Sequence, residues 1–544
     1  MIAQLLTCLA IVSAPPQSPQ LTISDGEVQP QPAGSDVAIV TSPVFHKSLR
    51  QWIAHRENQG HRITIVSNQG SLAEIRGRLR QVAAAKRLRW VLLVGDTIGA
   101  EGRALRTETQ VPTAYAVATL LPKFGGPPHI ATDNAYADLN DDGIPEVAVG
   151  RITADGPEEL SGIVERIFHY ETQHRGSWRT RVNLIAGVGG FGKIADFVLE
   201  SATKRFLTNE IPPGYMTSMT YGSWRSPYCP DPQKFHATTL DRFNEGCLFW
   251  VYIGHGHRRY LDKVRVPGGE FHIMDVNDTG KLQSRNGQPI AIFLACNTGA
   301  FDNEQDCLAE EMLRSPGGAV AVLAGSRVTM PYAMSVMGDG MIRRYFHSQD
   351  ATLGEIVLGA KQQMLQKKDA AKEADDKSFN RQLLDSLAAT FSPSKGSLET
   401  ELREHVYLFN LLGDPLLRVQ RPQAINVQAP EQQVAGTQCQ LLLHSPIDGK
   451  ARVELVCRRD LFKTTVSSRG KFELTDESRN EMQRTYQAAN DRVWTHGMVD
   501  LTTGDNTFRL AIPENATGPC YVRVYAHNQQ GDAIGATSLF IARP

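Results

Sequence analysis

The sequence predicts an α/β protein built on a mostly parallel sheet with helices on both faces, in two sub-domains, followed by a C-terminal β-sandwich. Three observations predict it. Short runs such as 90–95 (WVLLVG) and 289–294 (PIAIFL) are apolar throughout, longer helical patterns separate them, and beyond Pro422 the texture changes to short alternating runs between turn residues. Strands that are apolar on both sides are buried on both faces, which is the condition of a parallel sheet between helical layers. Short alternating strands without intervening helices suit an antiparallel sandwich.

Element by element, 36–41 (DVAIVT) reads as a strand, 43–58 as a helix closing at Gly60, 62–66 as a strand, 71–86 as a helix and 90–95 as a strand. The alternation pauses over 97–142, where Pro, Gly and Asp punctuate the chain. It resumes with a strand at 146–152 and an amphipathic helix at 157–172. A second block follows: strand 182–186, helix 194–209, strand 215–221, helix 231–244 with Pro232 in its first turn, strands 247–253 and 289–294, helix 307–314 and strand 318–324. Residues 362–397, rich in Lys, Asp, Glu and Ala, read as a solvated helix face or an insertion. The runs 439–443, 451–457, 506–512 and 520–526 build the sandwich, with no long helical periodicity between them. The expected domains are therefore a leader at 1–36, an α/β domain at 37–421 with halves at about 37–175 and 176–421, and a β-domain at 422–544.

Composition narrows the function. Lys and Arg number 57 against 58 Asp and Glu, a net charge of -1, so no global field draws the chain to nucleic acid and none is expected as a partner. Eight cysteines are scattered without a CxxC pair, which argues against a zinc ribbon or a disulfide framework. The apolar run 2–14 is shorter than the roughly 20 residues of a membrane span. It reads as an export signal, placing the protein outside the cytoplasm, secreted, periplasmic or at the cell surface, with no transmembrane segment.

Strand 247–253 runs directly into Gly254-His255-Gly256-His257, and strand 289–294 into Ala295-Cys296-Asn297-Thr298-Gly299. Ligands of open α/β sheets bind beyond the carboxyl ends of the strands, so a thiol and an imidazole would share one crevice if these strands are neighbours. An imidazolium beside the thiol populates the thiolate, which is the attacking form. Glycines around His255 let a substrate backbone approach and offer N–H groups to a developing oxyanion. A lone Cys after a strand is usually core and a lone GHG usually a turn; together, at two strand ends, they read as a dyad.

The two motifs, Tyr252-Ile253-Gly254-His255-Gly256 and Leu294-Ala295-Cys296-Asn297-Thr298-Gly299-Ala300-Phe301, resemble those of the gingipain family of cysteine endopeptidases. Further segments agree over about 37–419: Ala131-Thr132-Asp133-Asn134, Val149-Gly150-Arg151-Ile152, Leu308-Ala309-Glu310 and Asn410-Leu411-Leu412-Gly413-Asp414-Pro415. The resemblance implies a caspase-like catalytic fold with an immunoglobulin-like domain behind it, and protein or peptide substrates. It assigns Cys296 as nucleophile, His255 as general base and acid, and the N–H groups of Gly256 and Cys296 as oxyanion donors. His257 is the competing imidazole. The family's acidic residue near the histidine has no counterpart in the loop 187–192 (GVGGFG), which leaves Asp196 or Asp133 as candidates to orient His255. A selective pocket could draw on Asp196, Glu200 or the acids near Asp302. A different class of function, a degenerate caspase-like scaffold acting as a surface binding or adhesion protein, is the alternative.

The same loop spells GxGxxG, but no Asp or Glu follows the next strand to hold a ribose, and a backbone wall beside the crevice is the better reading. Asp138, Asn140 and Asp142, with Gly143, match the opening of a calcium loop without its closing Glu at position 12. Structural Ca2+ is the one candidate ion, in a reaction that needs no cofactor. Two of Cys439, Cys457 and Cys520 could pair after export, and Asn515 opens a formal glycosylation sequon.

Overall fold

Five consecutive buried residues, Val37–Thr41, start the central sheet of the computed structural model. The structure describes residues 34–85, 87–97, 108–173, 176–188, 210–284, 287–365, 396–466 and 469–543, all within one compact unit, Ala33–Pro544. The strands are β1 (Val37–Thr41), β2 (Ile63–Ser67), β3 (Trp90–Val94), β4 (Ala148–Ile152), β5 (Arg181–Ala186), β6 (Met216–Tyr221), β7 (Phe249–Ile253), β8 (Ile290–Leu294), β9 (Ala321–Gly325) and β10 (Phe409–Leu412). They form one continuous sheet in the order β2-β1-β3-β4-β10-β9-β8-β7-β5-β6. Neighbours pair in parallel on either side of β10, whereas β10 runs antiparallel to β9, with Val322 opposite Leu412. Every residue of β3, β7, β8 and β9 is buried, as strands between two helical layers must be.

The helices are α1 (His46–Asn58), α2 (Leu72–Ala83), α3 (Pro157–Thr172), α4 (Phe235–Asn244), α5 (Leu308–Arg314), α6 (Pro331–His347), α7 (Leu353–Leu365) and α8 (Leu398–Leu408). Local chemistry sets their ends. α2 starts in a reciprocal capping box between Ser71 and Glu74 and buries Ile75 and Leu79. α3 starts on Pro157 with Glu158 and Glu159 in its first turn, where carboxylates meet the positive end of the helix dipole, and buries Leu160, Ile163, Val164 and Ile167. The expected helix at 194–209 and most of 362–397 fall outside the described residues.

The β-domain holds two sheets. Gly449–Cys457, Val493–Leu501, Gly518–His527 and Asp532–Ala542 belong to the larger, and Gln438–Ser445 and Gly504–Ala511 to the smaller. Leu441, Val453, Leu455, Leu510 and Val522 pack between them. One expectation fails here: a helix, α9 (Asp476–Asn490), interrupts the strands that were expected to run without one. It is polar around most of its girth and buries only Met482, Thr485, Tyr486 and Ala489.

α9 docks against the central sheet. The Asn490 side chain accepts from the Met219 N–H (2.9 Å) and donates to the Met219 carbonyl (3.0 Å), covering part of the outer edge of β6. The Tyr486 hydroxyl meets Thr220 Oγ1 at 2.9 Å and accepts from Arg242 Nε at 3.0 Å. Arg179 and Asp532, 5% and 1% exposed, form an ion pair at 2.8 Å between the segment ahead of β5 and the C-terminal sheets.

Candidate active site

β7 and β8 are adjacent and parallel, with Ile253 opposite Leu294. Continuing that register by two residues sets His255 opposite Cys296, and the Gly254 N–H still donates to the Leu294 carbonyl at 3.2 Å. Both side chains are half-buried.

Three glycines make the approach possible. Gly254 has φ 155, and a Cβ there would fall 2.9 Å from the Tyr252 hydroxyl and 3.2 Å from Gly187 Cα. A Cβ on Gly187 would lie 2.8 Å from that hydroxyl, so the first glycine of the GxGxxG run is explained by packing of β5 on β7; its residues 189–192 lie outside the described residues. At Gly256 a Cβ would meet the Cys296 carbonyl oxygen and Thr298 Cγ2, each at 2.8 Å. The Tyr252 hydroxyl donates to the His255 carbonyl at 2.8 Å, and burial raises the pKa of that phenol and keeps it protonated. The Asp262 N–H reaches the same carbonyl at 3.2 Å. The backbone of His255 is thereby held from two sides.

Cys296 sits at the tip of a sharp turn. Asn297 follows in the left-handed region with φ 58, a conformation asparagine tolerates better than most residues. Its N–H donates to the Arg327 carbonyl at 3.0 Å. The Thr329 N–H donates to Cys296 Sγ at 3.3 Å and the Thr329 hydroxyl lies 3.6 Å from the sulfur. Thr329 thereby fixes the position of the sulfur, whose thiol hydrogen in turn faces the Thr329 carbonyl at 3.6 Å. The segment carrying Thr329 is fixed in turn. Met330 N–H donates to His405 Nε2 at 2.7 Å, His405 Nδ1 donates to the Glu401 carbonyl at 2.6 Å, and Ala333 N–H donates to Glu401 Oε1 at 2.9 Å. Complete burial pushes the His405 pKa down to about 4, so this imidazole is neutral. Sequence reading missed Thr329, His405 and Glu401, because a backbone donor and a buried helix on α8 leave no motif.

The other candidates separate clearly. His257 is exposed and stacks on Tyr260, with ring centroids 4.3 Å apart. Asp133 is buried against Arg151 in a two-pronged pair at 2.7 Å on each oxygen, so it is engaged away from His255. Asp302 is held by Arg327 at 2.6 and 2.8 Å and by the Tyr115 hydroxyl at 3.1 Å. Asp196 and Glu200 lie outside the described residues. Asp262, which the sequence did not single out, is 7% exposed, and its Oδ2 is buried without a hydrogen-bond partner.

Three side-chain groups among the described residues bring ligand atoms within 4.8 Å of one another. In the first, Glu146 joins Asp138 and Asp142, and the Asn140 side chain is hydrogen-bonded to Asp142 at 2.9 and 3.1 Å. Asp138 Oδ1 is buried and has no partner, and burial raises the Glu146 pKa. An all-oxygen set with an orphaned buried carboxylate oxygen fits a hard cation such as Ca2+. The second group is Asp96, Asp306 and Glu310, where burial raises the Asp96 pKa to about 6. The third is His236, His272 and Asp278.

The chain is similar to known proteins. A family model described as peptidase family C25 matches residues 31–420. Gingipain R2 of Porphyromonas gingivalis is 24% identical over 267 residues, covering 46% of this chain and 34% of that protein. A Lys-gingipain of the same organism is 23% identical over 303 residues, covering 53% of this chain and 15% of that protein. The chain thus spans about a third or less of the length of these relatives. A solved protease structure superposes with a TM-score of 0.52 at 15% identity, over 94% of this chain and 99% of that one, which shows a shared fold. The Arg-specific cysteine proteinase gingipain R gives a TM-score of 0.49 at 17% identity, over 95% and 100%.

Proposed function

Since the chain belongs to peptidase family C25, we propose that it is a cysteine endopeptidase with Cys296 as nucleophile and His255 as general base and acid. The observation that carries this reading is the placement of the two residues at the tips of adjacent parallel strands, β7 and β8, in continued register.

The Cys296 thiol passes its proton to His255, and the sulfur, hydrogen-bonded by the Thr329 N–H, attacks the scissile carbonyl carbon of a protein or peptide. A C–S bond forms and the carbonyl oxygen takes the negative charge, facing the N–H groups of Gly256 and Cys296. As the tetrahedral species collapses, the C–N bond breaks and the His255 imidazolium protonates the leaving amine. Water then attacks the thioester with His255 as base, and the carboxylic product leaves with the sulfur returned to its resting form. Ca2+ is not part of these steps; at Asp138, Asp142 and Glu146 it would act as a structural clamp on a loop ahead of β4. No helix among the described residues is long and apolar enough to cross a membrane, and the run at 2–14 supports export.

Covalent labelling with peptidyl chloromethyl or acyloxymethyl ketones across a broad P1 panel tests the assignment. Labelling should map to Cys296 and vanish in Cys296→Ala. A folded protein in which Cys296 reacts with none of the panel overturns it and favours the binding scaffold. For the ion, a chelator should lower the Tm, and Asp138→Asn should remove that response; a Tm indifferent to the chelator rejects the clamp.

A further inference from the structure

His236, His272 and Asp278 lie outside the Cys–His crevice and come from three elements. His236 is in the first turn of α4, His272 follows the strand Gly269–Phe271, and Asp278 belongs to the 3-10 turn Val276–Lys281. His236 Nδ1 lies 2.9 Å from the Ile273 carbonyl. A carbonyl only accepts, so the proton sits on Nδ1 and the lone pair is left on Nε2, which is 3.4 Å from Asp278 Oδ1. His272 Nε2 is 2.8 Å from Asp278 Oδ2. The Asp278 side chain is 4% exposed and is held by the Asp275 N–H at 2.9 Å. The two imidazoles, with centroids 4.9 Å apart, are part-exposed and leave an entry path. Lys281 contacts Asp278 Oδ1 at 2.8 Å from a side chain that is 59% exposed, so the cation beside the carboxylate is free to swing into solvent.

We propose that His236, His272 and Asp278 form a site for a divalent transition metal, with Zn2+ the fitting ion. Zinc holds nitrogen and oxygen ligands at about 2.0–2.2 Å, and the edge of such a tetrahedron is about 3.4 Å. The His236–Asp278 separation is already that edge. That edge makes Oδ1 the ligating oxygen, and the His272 hydrogen bond to Oδ2 at 2.8 Å gives way as its Nε2 turns to the metal. The Nδ1–H bond to Ile273 is the outer contact that fixes a ligating tautomer, and solvent takes the fourth position. Calcium and magnesium, which favour all-oxygen sets, do not suit two imidazoles. The site joins α4 to the crossover between β7 and β8, the segment that begins at the His255 turn. Tyr260 bridges to Asp275, and the Val276 N–H donates to the Arg259 carbonyl at 2.9 Å, so the metal stiffens the stretch immediately beyond the base.

Zn2+ and Co2+ titrations of the full chain test this, in a Cys296→Ala background that removes the one part-exposed thiol among the described residues. The expected result is one equivalent of Zn2+, a Co2+ spectrum with tetrahedral ligand-field bands and no thiolate charge-transfer, and a Zn2+-dependent rise in Tm. His236→Ala and His272→Ala should each weaken binding at least 10-fold and abolish the Tm rise. Lys281→Gln, at an exposed position that leaves the fold intact, should bind Zn2+ more tightly because the competing cation is gone. Zn2+ affinity that is unchanged in both histidine variants overturns the site. Should those variants fail to fold, Lys281→Gln binding Zn2+ no better than its parent, or a Co2+ spectrum without tetrahedral bands, overturns it equally.

Discussion

Gly256 has backbone on one side and core on the other, because its missing Cβ would stand 2.8 Å from the Cys296 carbonyl oxygen and 2.9 Å from Ala295 Cβ. Neither neighbour is the tip of a flexible chain, so Gly256→Ala must move the strand tips apart. A cost of about 1–3 kcal/mol is expected for such overpacking. The labelling rate at Cys296 should fall at least 10-fold, and a Gly256→Ala variant that labels at the parent rate would show that the two tips need not touch. The imidazoles make a sharper contrast. His255→Ala should abolish turnover, whereas His257→Ala, removing an exposed ring stacked on Tyr260, should leave it within about two-fold; the reverse result reassigns the base. His405 sets a pH dependence. Its folded pKa, about 4, lies below the ordinary imidazole value of 6.5, so the unfolded chain binds a proton more readily. Its contribution to stability is complete above pH 6.5 and is lost as pH falls from 6.5 towards 4, amounting to about 3 kcal/mol. Urea titrations at about pH 7 and about pH 5, either side of the upper end of that window, should differ less in His405→Gln than in the parent; an equal difference would mean that other groups carry the acid sensitivity.

At the scale of elements, Cys457 and Cys520 stand directly opposite each other on the antiparallel strands Gly449–Cys457 and Gly518–His527, whereas Cys439 pairs with Leu510 in the other sheet. Cross-strand partners are about 4.5–5.5 Å apart at Cα, within the range a disulfide spans. Burial pushes the Cys520 thiol up to about 12, so closure should be slow near neutral pH. Given a disulfide oxidant, the 457–520 pair should form, seen in peptide mapping, and should stabilise the β-domain by about 2–4 kcal/mol. A mapped link from Cys439 to either one would refute the register argument. The sequence alone allowed any two of the three. Most strands and helices of the central sheet were legible because uniform apolarity and capping residues are local signals. The missed elements lack such signals. α6 is buried on nearly every side and carries Gly338 and Gly340, so it shows no amphipathic stripe. α9 buries too little to stand out from a loop, and β10, only four residues long, takes its antiparallel direction from partners far away in sequence. The site followed the same division. His255 and Cys296 were legible because each ends a strand, whereas Thr329 acts through its backbone and Glu146 stands beyond the loop motif.

For the whole molecule, the sheet and the sandwich are expected to unfold as one. Arg179 and Asp532 are buried together, and Arg459 and Arg469 send guanidinium groups onto main-chain carbonyls of the α/β part at Pro212, Tyr215 and Cys229. Removing one member of a buried pair costs about 3–5 kcal/mol, because the other charge is stranded. Asp532→Asn should therefore lower the single calorimetric transition of the parent or split it in two; an unchanged Tm would mean that the pair is dispensable. The Asn490 cover on β6 has a consequence for how the protein can be divided. A strand edge with bare N–H and C=O groups templates another strand, so a fragment that stops before the sandwich would present β6 to its own copies. Such a fragment should assemble edge to edge and sediment with increasing mass as it is concentrated, and the sandwich would then act as an intramolecular shield that keeps the sheet from polymerising.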